Sequence, residues 1–197
     1  MNRAKHYEKH IFCLEGDWND NLKVKSSILP ALELLQINAN VESVYKTCST
    51  KTEFFARIHQ LLSNKTKYGK YQIIYLAFHG FSGGIQISND DEITLEEFAE
   101  EFEGKLENKM IHFGSCSTLK IHQNEITKFL RKTNALAISG YQKSIDFISS
   151  TVVDILFFEL CQNFKSIKAI ENNMYANYKQ LCEQLEFKIY YNLNIED

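Results

Sequence analysis

Five short apolar runs alternate with segments whose apolar residues recur at spacings of three and four: Ile11 to Glu15, Val41 to Tyr45, Tyr71 to Phe78, Met110 to Phe113, and Ala135 to Ser139. Runs of this length suit strands buried on both faces, and the periodicity between them suits amphipathic helices. Helices are expected around Ile28, Leu32 and Leu35, around Phe54, Ile58 and Leu61, and around Ile126, Phe129 and Leu130. Two of the starts carry capping boxes, Thr50 with Glu53 and Thr94 with Glu97, in which a hydroxyl and a carboxylate satisfy free N–H groups at a helix start. Pro30, the only proline, falls in a first helical turn behind a Ser27 cap, where its missing N–H costs nothing. After Ser139 come an apolar helix, Ile148 to Cys161, and a helix with Ile167, Ile170 and Met174 on one face. The alternating run Phe187 to Leu193 then reads as a last edge strand. Strands alternating with helices over such short connections predict an open α/β sheet, covered on both faces and joined by right-handed crossovers.

Nothing in the chain divides it. At 197 residues, without internal repeats or a Ser/Gly/Pro-rich stretch, one domain over residues 1–197 is expected, large enough to bury about 70% of its unfolded surface. Lys and Arg total 22 against 25 for Asp and Glu, a net charge of −3, so the basic field that condenses on nucleic acid or anionic lipid is missing. The five cysteines, Cys13, Cys48, Cys116, Cys161 and Cys182, are odd in number and form no CxxC pair, which argues for reduced thiols rather than a disulfide framework. No run of about 18 apolar residues is present, and MNRAKHYEKH leads into no signal-peptide core. The expectation is a cytoplasmic protein with neither nucleic acid nor membrane as partner.

In sheets of this type, sites form at the carboxyl ends of strands. Gly16, Gly80, Gly83, Gly84, Gly114 and Gly140 cluster at those ends, together with Glu15 and Asp17 after the first run, His79 after the third, Cys116 after the fourth and Asp146 after the fifth. An imidazole directly behind a buried strand needs a cleft or a partner. A cysteine nucleophile needs a base and backbone donors for the oxyanion, and the turns at Gly80 and Cys116 offer such amides. A packed thiol beside a hydrogen-bonded turn histidine accounts for the same spacing.

His-Gly behind one strand and Gly-Ser-Cys-Ser behind the next resemble the caspase-like cysteine peptidases of clan CD. The segment TNALAISGYQKSIDFISS resembles the stretch after the catalytic cysteine in separases and bacterial CHAT peptidases, with Tyr141 where those relatives carry tryptophan and Asp146 one residue further along. The resemblance implies a three-layer αβα sandwich with a mainly parallel, caspase-like sheet of about six strands. It implies a cysteine endopeptidase without a cofactor, acting on a protein or peptide, with Cys116 as nucleophile, His79 as acid/base, and the Gly80 and Cys116 amides as oxyanion hole. Asp146, aided by Glu15, Asp17 and Tyr141, is then expected to bind substrate and to favour Arg over Lys at P1. A bacterial defence or stress pathway and a separate activator protein are further expectations of the resemblance.

Asp146 also precedes a helix, where Asp is a favoured cap, and Glu15 and Asp17 read equally as turn carboxylates. Trp18 is expected to anchor its turn or wall a pocket, His112 to pack in the core, His122 to begin a helix, and Cys161 and Cys182 to pack on apolar helix faces. No HExxH and no close His/Cys/Asp cluster is present, so no catalytic metal is expected. GFSGG lacks the Lys-Ser/Thr ending of a phosphate loop and reads as a hairpin turn into Ile85 to Ser88. The acidic run from Asp90 reads as a solvated helix face. Two other functions remain open: a caspase-like module without turnover, and a cysteine hydrolase with a nucleophile elbow.

Overall fold

The computed structural model describes residues 6–19, 21 and 23–192. In chain order the elements are β1 (Ile11–Glu15), α1 (Leu29–Ala39), β2 (Ser43–Thr47), α2 (Lys51–Ser63), α3 (Lys65–Tyr68), β3 (Ile73–Ala77), β4 (His79–Phe81) and β5 (Gly84–Gln86). They continue as β6 (Glu92–Thr94), α4 (Leu95–Glu101), β7 (Met110–Phe113), α5 (Gln123–Thr133), β8 (Ala137–Tyr141), α6 (Phe147–Asn163), α7 (Ile167–Leu185) and β9 (Phe187–Tyr191). Six strands form the main sheet in the order β2-β1-β3-β7-β8-β9. The first five are parallel, and β9 closes the edge antiparallel to β8. The expected last strand thus exists over Phe187–Tyr191, while its final residue, Leu193, lies outside the described residues.

Alternation along each strand splits the core in two. Phe12, Leu14, Ile74, Leu76 and Ile111 pack toward α2, α4 and α5. Their neighbours Ile11, Cys13, Ile73, Tyr75 and Met110 pack toward α1, α6 and α7. Successive side chains of a strand point to opposite faces, so strands apolar at every position require a helical layer on each side. The result is the three-layer sandwich.

Local details depart from expectation where packing overrides pattern. The second strand begins at Ser43 rather than Val41, and the fifth parallel strand runs Ala137–Tyr141 rather than Ala135–Ser139, placing Tyr141 inside the sheet. Thr50 and Thr94 cap α2 and α4 by accepting from Glu53 N and Glu97 N. The two carboxylates turn outward instead, Glu53 to Arg57 and Glu97 to Lys51. The residue at the start of α1 is Ile28, and Ser27 serves from one position earlier, its hydroxyl accepting from Leu29 N. His122 does begin α5, and the acidic face of α4 pairs with α5 through Glu96–Lys128 and Glu100–Lys132. Among the described residues no helix is long and apolar enough to cross a membrane.

Candidate active site

Strand order reverses between β1 and β3: one crossover leaves β1 toward β2, and the next chain segment returns to the other side of β1. Ligand sites in open α/β sheets form at such a switch point, outside the strand carboxyl ends. A cleft of about 210 Å3 lies there, lined by Trp18 from the loop after β1, His79 from the end of β3, Cys116 from the end of β7, and Ile145 and Phe147 from the segment leading into α6. His79 and Cys116, 37 positions apart in the sequence, therefore face one cavity.

His79 opens β4, the first strand of a small antiparallel sheet β4-β5-β6. Buried Phe78 is all that separates it from β3. Its Nε2 lies 3.1 Å from the Trp18 carbonyl oxygen. A carbonyl only accepts, so Nε2 carries the proton in this contact and Nδ1 is left as the basic nitrogen. The Trp18 indole packs edge-on against the imidazole and against Phe147, with ring centroids 5.4 and 5.3 Å apart. Trp18 thus both walls the cleft and holds the histidine.

Cys116 is half-buried in the turn after β7. Ile145 N approaches Sγ to 3.4 Å and Ser144 Oγ to 3.8 Å, and Ser117 N donates to Lys143 O. The loop after β8 is thereby folded against the sulfur. Ser117 itself has φ 57, a left-handed conformation that costs a non-glycine residue energy and is retained where surrounding structure enforces it. The turn is also stitched to the small sheet: Gly83 N donates to Thr118 O, Thr118 Oγ1 donates to Gly84 O, and Ser115 Oγ lies 2.8 Å from Thr118 Oγ1. Gly80 lies so close that a Cβ there would sit 2.4 Å from Cys116 O and 2.6 Å from Thr118 Oγ1. Glycine is the residue that permits this approach.

The remaining expected site residues are placed elsewhere. Tyr141 is fully buried rather than exposed to a substrate, its hydroxyl donating to Asp154. Glu15 is buried below the cleft, where its two oxygens accept from Trp18 Nε1, Ile28 N, Ser27 Oγ and Tyr45 Oη. Asp17 is exposed and does not line the cleft. Asp146 caps α6, accepting from Ser149 N at 2.9 Å, and that amide holds its carboxyl below the ordinary range. His112 is a core residue, bonded to Ser139 and Asp154. Cys161 and Cys182 are buried, as read from their helix faces.

Asp154 was not singled out by sequence reasoning. On α6 and 2% exposed, it accepts from Tyr75, Tyr141 and His112, tying β3, β8 and β7 to the helix beneath the cleft. Burial, reinforced by the Asp154 charge, pushes both phenols well above their ordinary values. The signal was available: a lone carboxylate inside the apolar run Ile148 to Cys161 needs buried donors. Among the described residues no group of three or more His, Cys, Asp or Glu side chains is placed to hold a metal ion.

No curated protein matches the chain. Among solved structures, a secreted C11 cysteine protease from Bacteroides thetaiotaomicron, in complex with an irreversible peptide inhibitor, is similar with a TM-score of 0.57 and 11% sequence identity. The likeness covers 87% of this chain and 58% of that one, so the chain spans little more than half the length of that neighbour. At this identity the likeness establishes the shared fold alone. A family model covers residues 8–191, nearly the whole chain, and on that match the chain belongs to DUF6642, a family of unknown function.

Proposed function

We propose that this chain is a cysteine endopeptidase in which Cys116 is the nucleophile and His79 the acid/base. The observation that carries the reading is the meeting of the two side chains at one cleft, with the imidazole fixed through Nε2 so that Nδ1 takes and returns protons. In this mechanism Sγ attacks the scissile carbonyl carbon while its proton passes to Nδ1. The oxyanion is held by the Gly80 and Cys116 amides. The C–N bond then breaks as His79 protonates the leaving amine, and water hydrolyses the thioester. The fold shared with a cysteine protease supports a protein or peptide substrate.

The test is a mixed panel of peptidyl acyloxymethyl ketones differing at P1, followed by mass mapping of the adduct. Labelling of Cys116 is expected, with Cys116→Ala and His79→Ala each lowering peptide cleavage at least about 1,000-fold while leaving the melting temperature nearly unchanged. An adduct on another cysteine, or cleavage that survives either substitution, rejects the assignment.

A further inference from the structure

The walls of the cleft are Trp18, Ile28, Tyr75, Phe78, Ile145 and Phe147. At about 210 Å3 it falls below the roughly 300 Å3 where pockets for drug-sized molecules begin, a scale suited to one side chain. Its hydroxyls carry no charge to set against a cation: Ser150 and Thr151 have their protons turned to carbonyls of their own helix, and Ser26 is exposed. The Tyr75 hydroxyl is turned to Asp154, leaving its ring to the cavity. Among the described residues none that lines the cleft is acidic. Of the carboxylates on the surrounding elements, Asp17 is exposed and lies outside the lining, and three others are held by hydrogen bonds. Glu15 accepts from four donors, Asp154 from three, and Asp146 from the first turn of α6.

Resting on Cys116 as nucleophile, we propose that this cleft is the S1 pocket and that it selects an uncharged apolar side chain, aliphatic or aromatic, at P1. A guanidinium or ammonium entering it would shed its hydration without meeting a counter-charge. A leucine or phenylalanine side chain would exchange water for six apolar walls. The basic preference expected from Asp146 is thereby replaced: that carboxylate stabilises a helix end and does not reach into the cleft.

The experiment measures kcat/KM of the full chain on peptides identical except at P1, which carries Leu, Phe, Met, Gln, Lys, Arg or Asp. Leu or Phe is expected to exceed Arg by about tenfold or more, the scale of pocket discrimination, and Asp146→Ala is expected to keep the ranking. Thr151→Asp, which places a carboxylate in the cleft wall, is expected to raise Arg relative to Leu at least about tenfold. Cys116-dependent cleavage that favours Arg or Lys, or a ranking unmoved by Thr151→Asp, overturns the pocket assignment while leaving the peptidase reading intact. Failure of every peptide to be cleaved through Cys116 overturns both.

Discussion

Replacing Glu15 separates a buried anchor from a substrate-binding carboxylate, and the outcome depends on which atom sits at which oxygen. Oε1 accepts from two N–H groups, Trp18 Nε1 and Ile28 N, which can only donate. Oε2 accepts from two hydroxyls, Ser27 and Tyr45, which can also accept. Glu15→Gln can therefore place its carbonyl on the N–H side and its amide on the hydroxyl side, with one hydroxyl proton passed to the other hydroxyl and one left to solvent at partly exposed Tyr45. The loss is limited to the strengthening an ionised acceptor gives, about 1–2 kcal/mol. Glu15→Ala strands all four donors. The two hydroxyls stand 3.3 Å apart and can bond each other, so the expected loss is about 3–5 kcal/mol, as for a broken buried pair, rather than the sum of four bonds. At roughly 2–4 °C per kcal/mol for a domain of this size, Glu15→Gln lowers the melting temperature by about 2–8 °C and Glu15→Ala by about 6–20 °C. Urea unfolding followed by fluorescence of Trp18, the only tryptophan, reads both stability and the anchored loop. Peptide cleavage supplies the second readout. Releasing Trp18 also releases the carbonyl that orients His79, so Glu15→Ala is expected to cut cleavage about 100-fold, the cost of a displacement on the order of 1 Å. Equal damage from Gln and Ala, or an Ala variant within about 1 kcal/mol of the parent, refutes the reasoning.

Two further expectations test the site and the core. Gly80→Ala forces apart contacts of 2.4 and 2.6 Å, and is expected to lower stability by about 1–3 kcal/mol and kcat by about 100-fold or more through the oxyanion amide; full turnover in this variant removes Gly80 from the mechanism. Burial pushes the Cys161 thiol up to about 12 from an ordinary 9.0, so the unfolded chain releases this proton first. The stabilising contribution is whole below pH 9 and is lost as pH rises toward 12, at about 1.4 kcal/mol per pH unit. Urea midpoints at pH 8.5 and 10 should show a shallower fall for Cys161→Ala, and parallel slopes for the two proteins contradict the assignment.

The sheet was legible because its strands are apolar on both faces: Met110–Phe113 is read from sequence with the bounds it has in the structure. Legibility fades at β2, an edge strand whose residues Ser43 to Thr47 are partly or fully exposed. There the apolar pattern points two residues upstream, to buried Val41. The meeting of His79 and Cys116 follows from topology, since consecutive strand ends in a parallel sheet lie side by side. The destinations of the carboxylates do not follow from spacing. Glu15 draws donors from positions 18, 27, 28 and 45, and Asp154 from 75, 112 and 141. Only the packed helices and strands bring those donors together. Asp146 illustrates the reverse case, where the local motif for a helix start accounts for the hydrogen bond the residue makes.

The imidazole and the sulfur ride on two separately laced fabrics. One is the three-strand ribbon that begins at His79, the other the six-strand sheet that ends beneath Cys116, and the seam between them is sewn by Thr118 to Gly83 and Gly84. Reactivity in such a design is a property of the seam. Tilting the ribbon by a fraction of a bond length disarms the proposed chemistry while both fabrics stay whole, so catalytic competence and thermal robustness can be tuned apart.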